Sequence, residues 1–200
     1  MTHSVVVFDI GGVLVNWQPQ LAWLDELGTH AAVDAFMERI NFSALNKRAD
    51  GGERFSDLAR ELDDPEDQRR LLGYVVNHGR TIQDAIKGTW DVLDRLRARG
   101  IAVHAITNWS AETWPHGLIA QPRLGEVFGT TIVSGQEGIM KPDPQIFRRF
   151  CDRAGVPAGS CVFIDDGAKN VAGSIAAGMD GVHFTGADRL ESDLKDRGLL

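Results

Sequence analysis

Three times after residue 88, an amphipathic run closes on a glycine and gives way to a short, mostly apolar run. WDVLDRLRARG leads into IAVHAITN, PQIFRRFCDRAG into SCVFIDD, and KNVAGSIAAG into DGVHFTG. The first member of each pair has apolar groups at helical spacing. The second has the composition of a strand buried on both faces, as in a parallel sheet covered by helices. Gly100, Gly155 and Gly178 stand where a helix ends on a left-handed residue. SVVVFD near the N-terminus and TTIVSG at 130–135 read as two further strands. The pattern predicts an α/β fold, a doubly wound parallel sheet of about five strands.

Residues 17–86 break this rhythm. QLAWLDELG, AAVDAFMERINF, RFSDLARELDD and PEDQRRLLGYVVNHG all carry apolar groups at helical spacing, and no strand is apparent among them. The predicted organisation is an α/β core from residues 1–16 and 87–200, with residues 17–86 inserted as a helical cap. ADRLESDLKDRGLL reads as a final helix with a solvated face, and QPRLG and DDPED as surface turns.

Composition adds limits. The 200 residues are 43% hydrophobic and 24% charged, a globular balance, and the net charge of −7 argues against a general nucleic-acid surface. Cys151 and Cys161 lack metal-finger spacing, so reduced thiols are expected. No apolar run approaches the roughly 20 residues that span a bilayer. VVVF begins after four residues, with no basic leader or cleavage pattern. These features lead us to expect a soluble cytoplasmic protein without nucleic-acid or membrane partners.

Ligands of open α/β sheets gather at the carboxyl ends of the strands. Here one strand ends in Asp9, one in Thr107 and Asn108, and one in Asp165 and Asp166. Lys141 follows the TTIVSG strand. Taken singly, each acid is most simply a turn former or helix cap, Thr107 a cap, and Lys141 a surface residue. Together they have a coherent chemistry. Two close carboxylates resist ionising unless a cation lies between them, and oxygen ligands from Asp9 and Asp166 suit Mg²⁺. Thr107 and Lys141 offer a hydroxyl and a positive charge to an anion. One carboxylate can then attack phosphorus. Gly11 and Gly12 let the backbone pass close to a substrate.

The chain resembles the haloacid dehalogenase superfamily over nearly its whole length. FDIGGVLV resembles the first motif, with Asp9 as nucleophile; ITN the second, with Thr107; GIMKPDPQIF the third, with Lys141; FIDDGAKN the fourth, with Asp165 and Asp166. FDIGGVLVNW, TNWSAETWP and FIDDGAKN are similar to a bacterial sugar-phosphate phosphatase branch that includes α-glucose-1-phosphate phosphatase. The resemblance implies Mg²⁺ held by Asp9, Asp166 and the Gly11 carbonyl, with Asp165 and Asn170 in support. It implies a small phosphorylated substrate whose transferred group is held by the amide of Asn108; Gly12, from its turn, and Trp109, as a wall, are expected to meet the same substrate.

One position departs from that pattern. Most phosphatases of this superfamily carry a second Asp two residues after the nucleophile, which protonates the leaving alcohol and later activates water. Here the position is Gly11. His30 and Arg39 are cap residues that could stand in. The 2-haloacid dehalogenases of the superfamily also lack that acid and use no metal, and Arg39 could then serve halide departure. A third possibility is a protein that binds a phosphorylated ligand with little turnover. Trp17, Trp109 and Trp114 read as either pocket wall or packing, His104 as a satisfied core histidine, and His116 as undecided.

Overall fold

The computed structural model describes residues 3–200. Its five strands are β1 (Val5–Phe8), β2 (Ala102–Thr107), β3 (Thr131–Val133), β4 (Cys161–Asp165) and β5 (Asp180–His183). All four pairings are parallel, in the order β3-β2-β1-β4-β5. β1 is central, with Val6 opposite Val103 on one side and Val162 on the other.

Both sheet faces are covered, which explains the apolar runs. Val6 and Phe8 point into one cluster with Trp90, Leu93, Leu190 and Leu194. Val5 and Val7 point into another with Ile146, Phe147 and Phe150. The first face is covered by α6 (Lys87–Ala98) and α11 (Ala187–Asp196), the second by α9 (Pro144–Ala154) and α10 (Ala168–Ala176). Two short helices, α7 (Trp114–Ala120) and α8 (Ser134–Glu137), follow β2 and β3. Gly100, Gly155 and Gly178 have φ of 76°, 68° and 93°, the left-handed endings expected of them.

The segment between β1 and α6 is helical: α1 (Leu24–Leu27), α2 (His30–Arg39), α3 (Phe42–Asp50), α4 (Phe55–Ala59) and α5 (Pro65–Asn77). It encloses an apolar cluster of its own, in which Trp23 stacks on Tyr74 at 5.3 Å. Two details differ from the pattern. α3 has no counterpart among the predicted helices. Leu124 of QPRLG is buried in a 3₁₀ turn, because its side chain joins the first core cluster. Among the described residues, no helix is long and apolar enough to cross a membrane. Both cysteines are free thiols.

Candidate active site

β1 delivers Asp9 to the carboxyl edge of the sheet, where its N–H still pairs with the Ile164 carbonyl at 2.8 Å. The chain then turns tightly, with the Ile10 carbonyl accepting from the N–H groups of Val13, Leu14 and Val15. Gly12 makes this turn possible with a φ of 73°. One oxygen of Asp9 accepts the Ile10 N–H at 2.6 Å, and the other lies 2.8 Å from the Lys141 ammonium.

Lys141 is wholly enclosed. Its Nζ donates to Asp165 Oδ2 at 2.7 Å and to the Ile106 carbonyl at 3.0 Å, beside its contact with Asp9. An ammonium has three N–H groups, so none is left over for an anion. The positive charge expected at Lys141 for an anion is here spent on Asp9 and Asp165, and Lys141 lies outside the cavity lining. Asp9 and Asp165 hold Lys141 charged above its ordinary range, against burial, which favours the neutral form.

Asp165 is buried and fully engaged. Its Oδ2 takes Lys141, and its Oδ1 accepts from the Gly167 N–H at 2.8 Å and from Asn170 Nδ2 at 2.9 Å. Asp166 is exposed, and its carboxylate faces Gly12. Oxygen atoms of Asp9, Asp165 and Asp166 all lie within 4.8 Å of one another. Burial pushes the Asp9 carboxyl up to about 7; Lys141 opposes this and Asp165 adds to it. Burial and the Asp165 charge also raise Asp166. Three carboxylates thus stand close together with one ammonium, which pairs with Asp9 and Asp165. Asp165 takes three protein groups on its two oxygens, whereas Asp9 takes one on each and Asp166 lines the cavity, so the pair with most room for a hard cation is Asp9 and Asp166, with oxygen donors of the kind Mg²⁺ takes.

The rim opens into a cavity of about 520 Å³. Asp9, Gly11, Gly12, Thr107, Asn108 and Asp166 line it from the sheet edge. The side-chain amide of Asn108 is committed to the Lys141 peptide, giving 3.0 Å to its carbonyl and taking 2.9 Å from its N–H. Trp109 and Trp17 are wall residues, whereas Trp114 packs edge-on behind Trp109 at 5.3 Å and is not in the lining. His30, Arg39 and His116 do not line the cavity. Arg39 is held instead by Asp67, at 2.6 and 3.0 Å, because that buried carboxylate is its nearest counter-charge. His104 is buried against Phe150, but its Nδ1 has no partner, so it is not the satisfied histidine expected.

The family model described as haloacid dehalogenase-like hydrolase matches residues 3–178. The chain belongs to this family. Along its whole length it is 26% identical to the sesquiterpene phosphatase astK of Aspergillus oryzae, over 97% of that protein. It also superposes on the haloacid dehalogenase family enzyme bt-2542 of Bacteroides thetaiotaomicron, solved with magnesium and inorganic phosphate. That match has TM-score 0.65 and 18% identity, covering 90% of this chain and 93% of that one. A 2-haloacid dehalogenase from Pseudomonas syringae matches with TM-score 0.64 and 22% identity, over 98% and 99% of the two chains. At such identities the two structures establish the fold alone, and the fold serves both chemistries. The named phosphatase relative favours a phosphatase-type hydrolase.

Sequence reasoning leaves out the side of this haloacid dehalogenase-like hydrolase that faces the sheet edge. Asn46 and Asp50 of α3, with Tyr74 and His78 at the end of α5, complete the cavity wall. Asp50 Oδ2 accepts from Asn46 Nδ2 at 3.1 Å, and its main-chain carbonyl accepts from Ser134 Oγ at 2.6 Å. Burial pushes its carboxyl up to about 7, opposed by the Ser110 N–H and the Lys141 charge. No motif marks these residues. Asp50 merely follows Ala49, the last buried residue of α3, and its type and position do not single it out.

Proposed function

We propose that the protein is a Mg²⁺-dependent phosphomonoesterase for small phosphorylated metabolites, with Asp9 as nucleophile. The observation that carries this reading is the setting of Asp9. It is fixed between Lys141 and the Ile10 N–H on the floor of a cavity, with Asp166 unengaged beside it. A volume of about 520 Å³ suits a metabolite-sized ligand. Residues 17–86 serve as the cap, roofing the sheet edge and selecting the substrate. Sugar phosphates are the first class to screen, with Trp17 and Trp109 as ring-facing walls.

The chain's own groups divide the work. Lys141 and the Ile10 N–H aim the Asp9 carboxylate, whose oxygen bonds to phosphorus as the ester oxygen leaves, giving an aspartyl-phosphate. The Thr107 hydroxyl and the Asn108 main-chain N–H face the transferred group, and the Gly12 backbone lets it approach. Mg²⁺, held by Asp9, Asp166 and the Gly11 carbonyl, would neutralise phosphoryl charge and orient it for in-line attack. Asp165 and Asn170 keep Lys141 and the β4 turn in register.

A dehalogenase would need a cation for the substrate carboxylate, and Arg39 is paired away from the cavity. Three rim acids would also repel that carboxylate. The deciding experiment is a screen of sugar phosphates and 4-nitrophenyl phosphate with and without Mg²⁺, beside Asp9→Asn and trapping with BeF₃⁻. Mg²⁺-dependent release that is lost in Asp9→Asn, with the analogue on Asp9, is expected. Hydrolysis that survives exhaustive chelation, or an active Asp9→Asn, overturns the reading. A single burst without further turnover would favour a ligand-binding role.

A further inference from the structure

We propose that Asp50, on the inserted helical segment, is the general acid and base that the strand-end turn lacks at Gly11. The inference rests on the phosphatase reading above. In-line displacement sends the leaving oxygen away from the nucleophile. Asp9 and the wall built by α3 and α5 line one cavity, so a leaving oxygen can depart toward that wall.

Three titratable side chains stand on that wall: Asp50, Tyr74 and His78. The Tyr74 hydroxyl accepts from Trp17 Nε1 at 3.1 Å, and burial holds its proton far above the ordinary phenol range. Burial pushes His78 down to about 3, with His116 adding to the shift, and both ring nitrogens are enclosed without a partner. At neutral pH the first does not release a proton and the second has none to give. Asp50 differs in place as well as in strength. It ends α3 where the helix meets the β2 and β3 loops, and Ser134 ties its main chain to that edge. Asn46 and the Ser110 N–H steady the carboxyl, and the side chain lines the cavity. The Lys141 charge acts on it from the sheet edge, and the titratable groups that share its cavity are Asp9, Asp166, Tyr74 and His78. A carboxyl that titrates near neutrality can both give and take a proton.

The steps balance. In the first, the bond from Asp9 to phosphorus forms, the ester P–O bond breaks, and the Asp50 proton goes to the leaving alkoxide. In the second, Asp50 carboxylate takes a proton from water as the water oxygen bonds to phosphorus. The bond from Asp9 to phosphorus breaks, releasing hydrogen phosphate and restoring the Asp9 carboxylate and the protonated Asp50 carboxyl.

The test compares benzyl phosphate, an alkyl ester, with 4-nitrophenyl phosphate, whose leaving group needs no proton, in single turnovers of the Mg²⁺-loaded full chain. Asp50→Asn keeps the size and the acceptor but cannot transfer a proton. It is expected to slow benzyl phosphate by about 10²–10⁴-fold and phosphorylation by 4-nitrophenyl phosphate by less than about tenfold. It should also remove the limb near pH 7 from the benzyl phosphate profile. Asp50→Glu, which keeps the carboxyl, should retain more benzyl phosphate activity than Asp50→Asn. In metal-free wild type, the Asp50 carboxyl carbon should titrate near 7 by NMR. Equal losses on both esters, or titration in the ordinary carboxylate range, would make Asp50 a mere tie between segment and sheet and overturn the inference. Wild type inert toward both esters would remove the phosphatase reading itself, and the inference with it.

Discussion

A Cβ placed on Gly12 would stand 2.4 Å from Oδ2 of Asp166. The two residues belong to turns after different strands, and the absence of a side chain on one fixes where the other's carboxylate sits. Gly12→Ala is therefore expected to push Asp166 aside. At a φ of 73° it also adds about 1–2 kcal/mol of backbone strain. Mg²⁺ titration should show weaker binding, with the nucleophile itself untouched. Unchanged Mg²⁺ affinity in a folded variant would separate Asp166 from the metal.

Lys141→Met should be among the most damaging single changes in the core. Its ammonium is the counter-charge to Asp9 and Asp165, and the side chains of Lys141 and Asp165 are 0% exposed. Removing one partner from a buried ion pair costs about 3–5 kcal/mol. Urea unfolding should show a lower midpoint at an unchanged slope. A variant as stable as wild type would mean that the two acids are protonated or solvated in its folded state.

Asp50 makes a prediction about pH that is independent of turnover. Its folded value is raised to about 7 from an ordinary 3.8. A group raised in this way supports the fold fully below the unfolded value and withdraws that support as pH climbs through the folded one. Asp50→Asn removes the penalty. Measured without metal, the melting temperature of the variant should gain on wild type between about pH 4 and 7 and hold its lead above that. Each kcal/mol corresponds to roughly 2–4 °C for a chain of this size. A difference between the two proteins that does not vary with pH would contradict a raised value.

Gly11→Asp tests the missing acid from the other side. A Cβ at Gly11 meets nothing within 4 Å, and Gly11 is not among the glycines with positive φ. A side chain can therefore start there without a Cβ clash or a left-handed backbone. In an Asp50→Asn background it should restore benzyl phosphate turnover by up to about 10²-fold. In wild type it should add little. A large gain in wild type would show that no acid was at work there.

The strands and the acids were legible for the same reason. Sheet residues such as Val6 and Val162 are buried on both faces, so composition alone marks them, and each strand's end is marked by where the apolar run stops. That places Asp9, Thr107, Asp165 and Asp166 on one edge. α3 gives a weaker signal. Only Phe42, Leu45 and Ala49 of it are buried, and Asn41 opens it in a left-handed conformation with no side-chain cap. Asp50 carries no mark in the sequence, since its surroundings come from Asn46, Tyr74, Ser110 and Lys141. Lys141 shows the converse. Its place in a motif is plain, but that all its N–H groups are spent inside the protein depends on Ile106 and Asp165 folding around it.

The hydroxyl of Ser134 accepts the Trp109 N–H at 2.9 Å and donates to the Asp50 carbonyl. One oxygen atom thus joins the edge of the sheet to the last turn of α3. If the helical segment swings outward to admit a substrate, this bond must break and Asp50 must leave with the segment, while Asp9 stays on its strand. An open molecule would then own a nucleophile without a proton donor. The two halves of the reaction would then meet only when the doorway shuts, and an alkyl ester would be cut only after it has been enclosed.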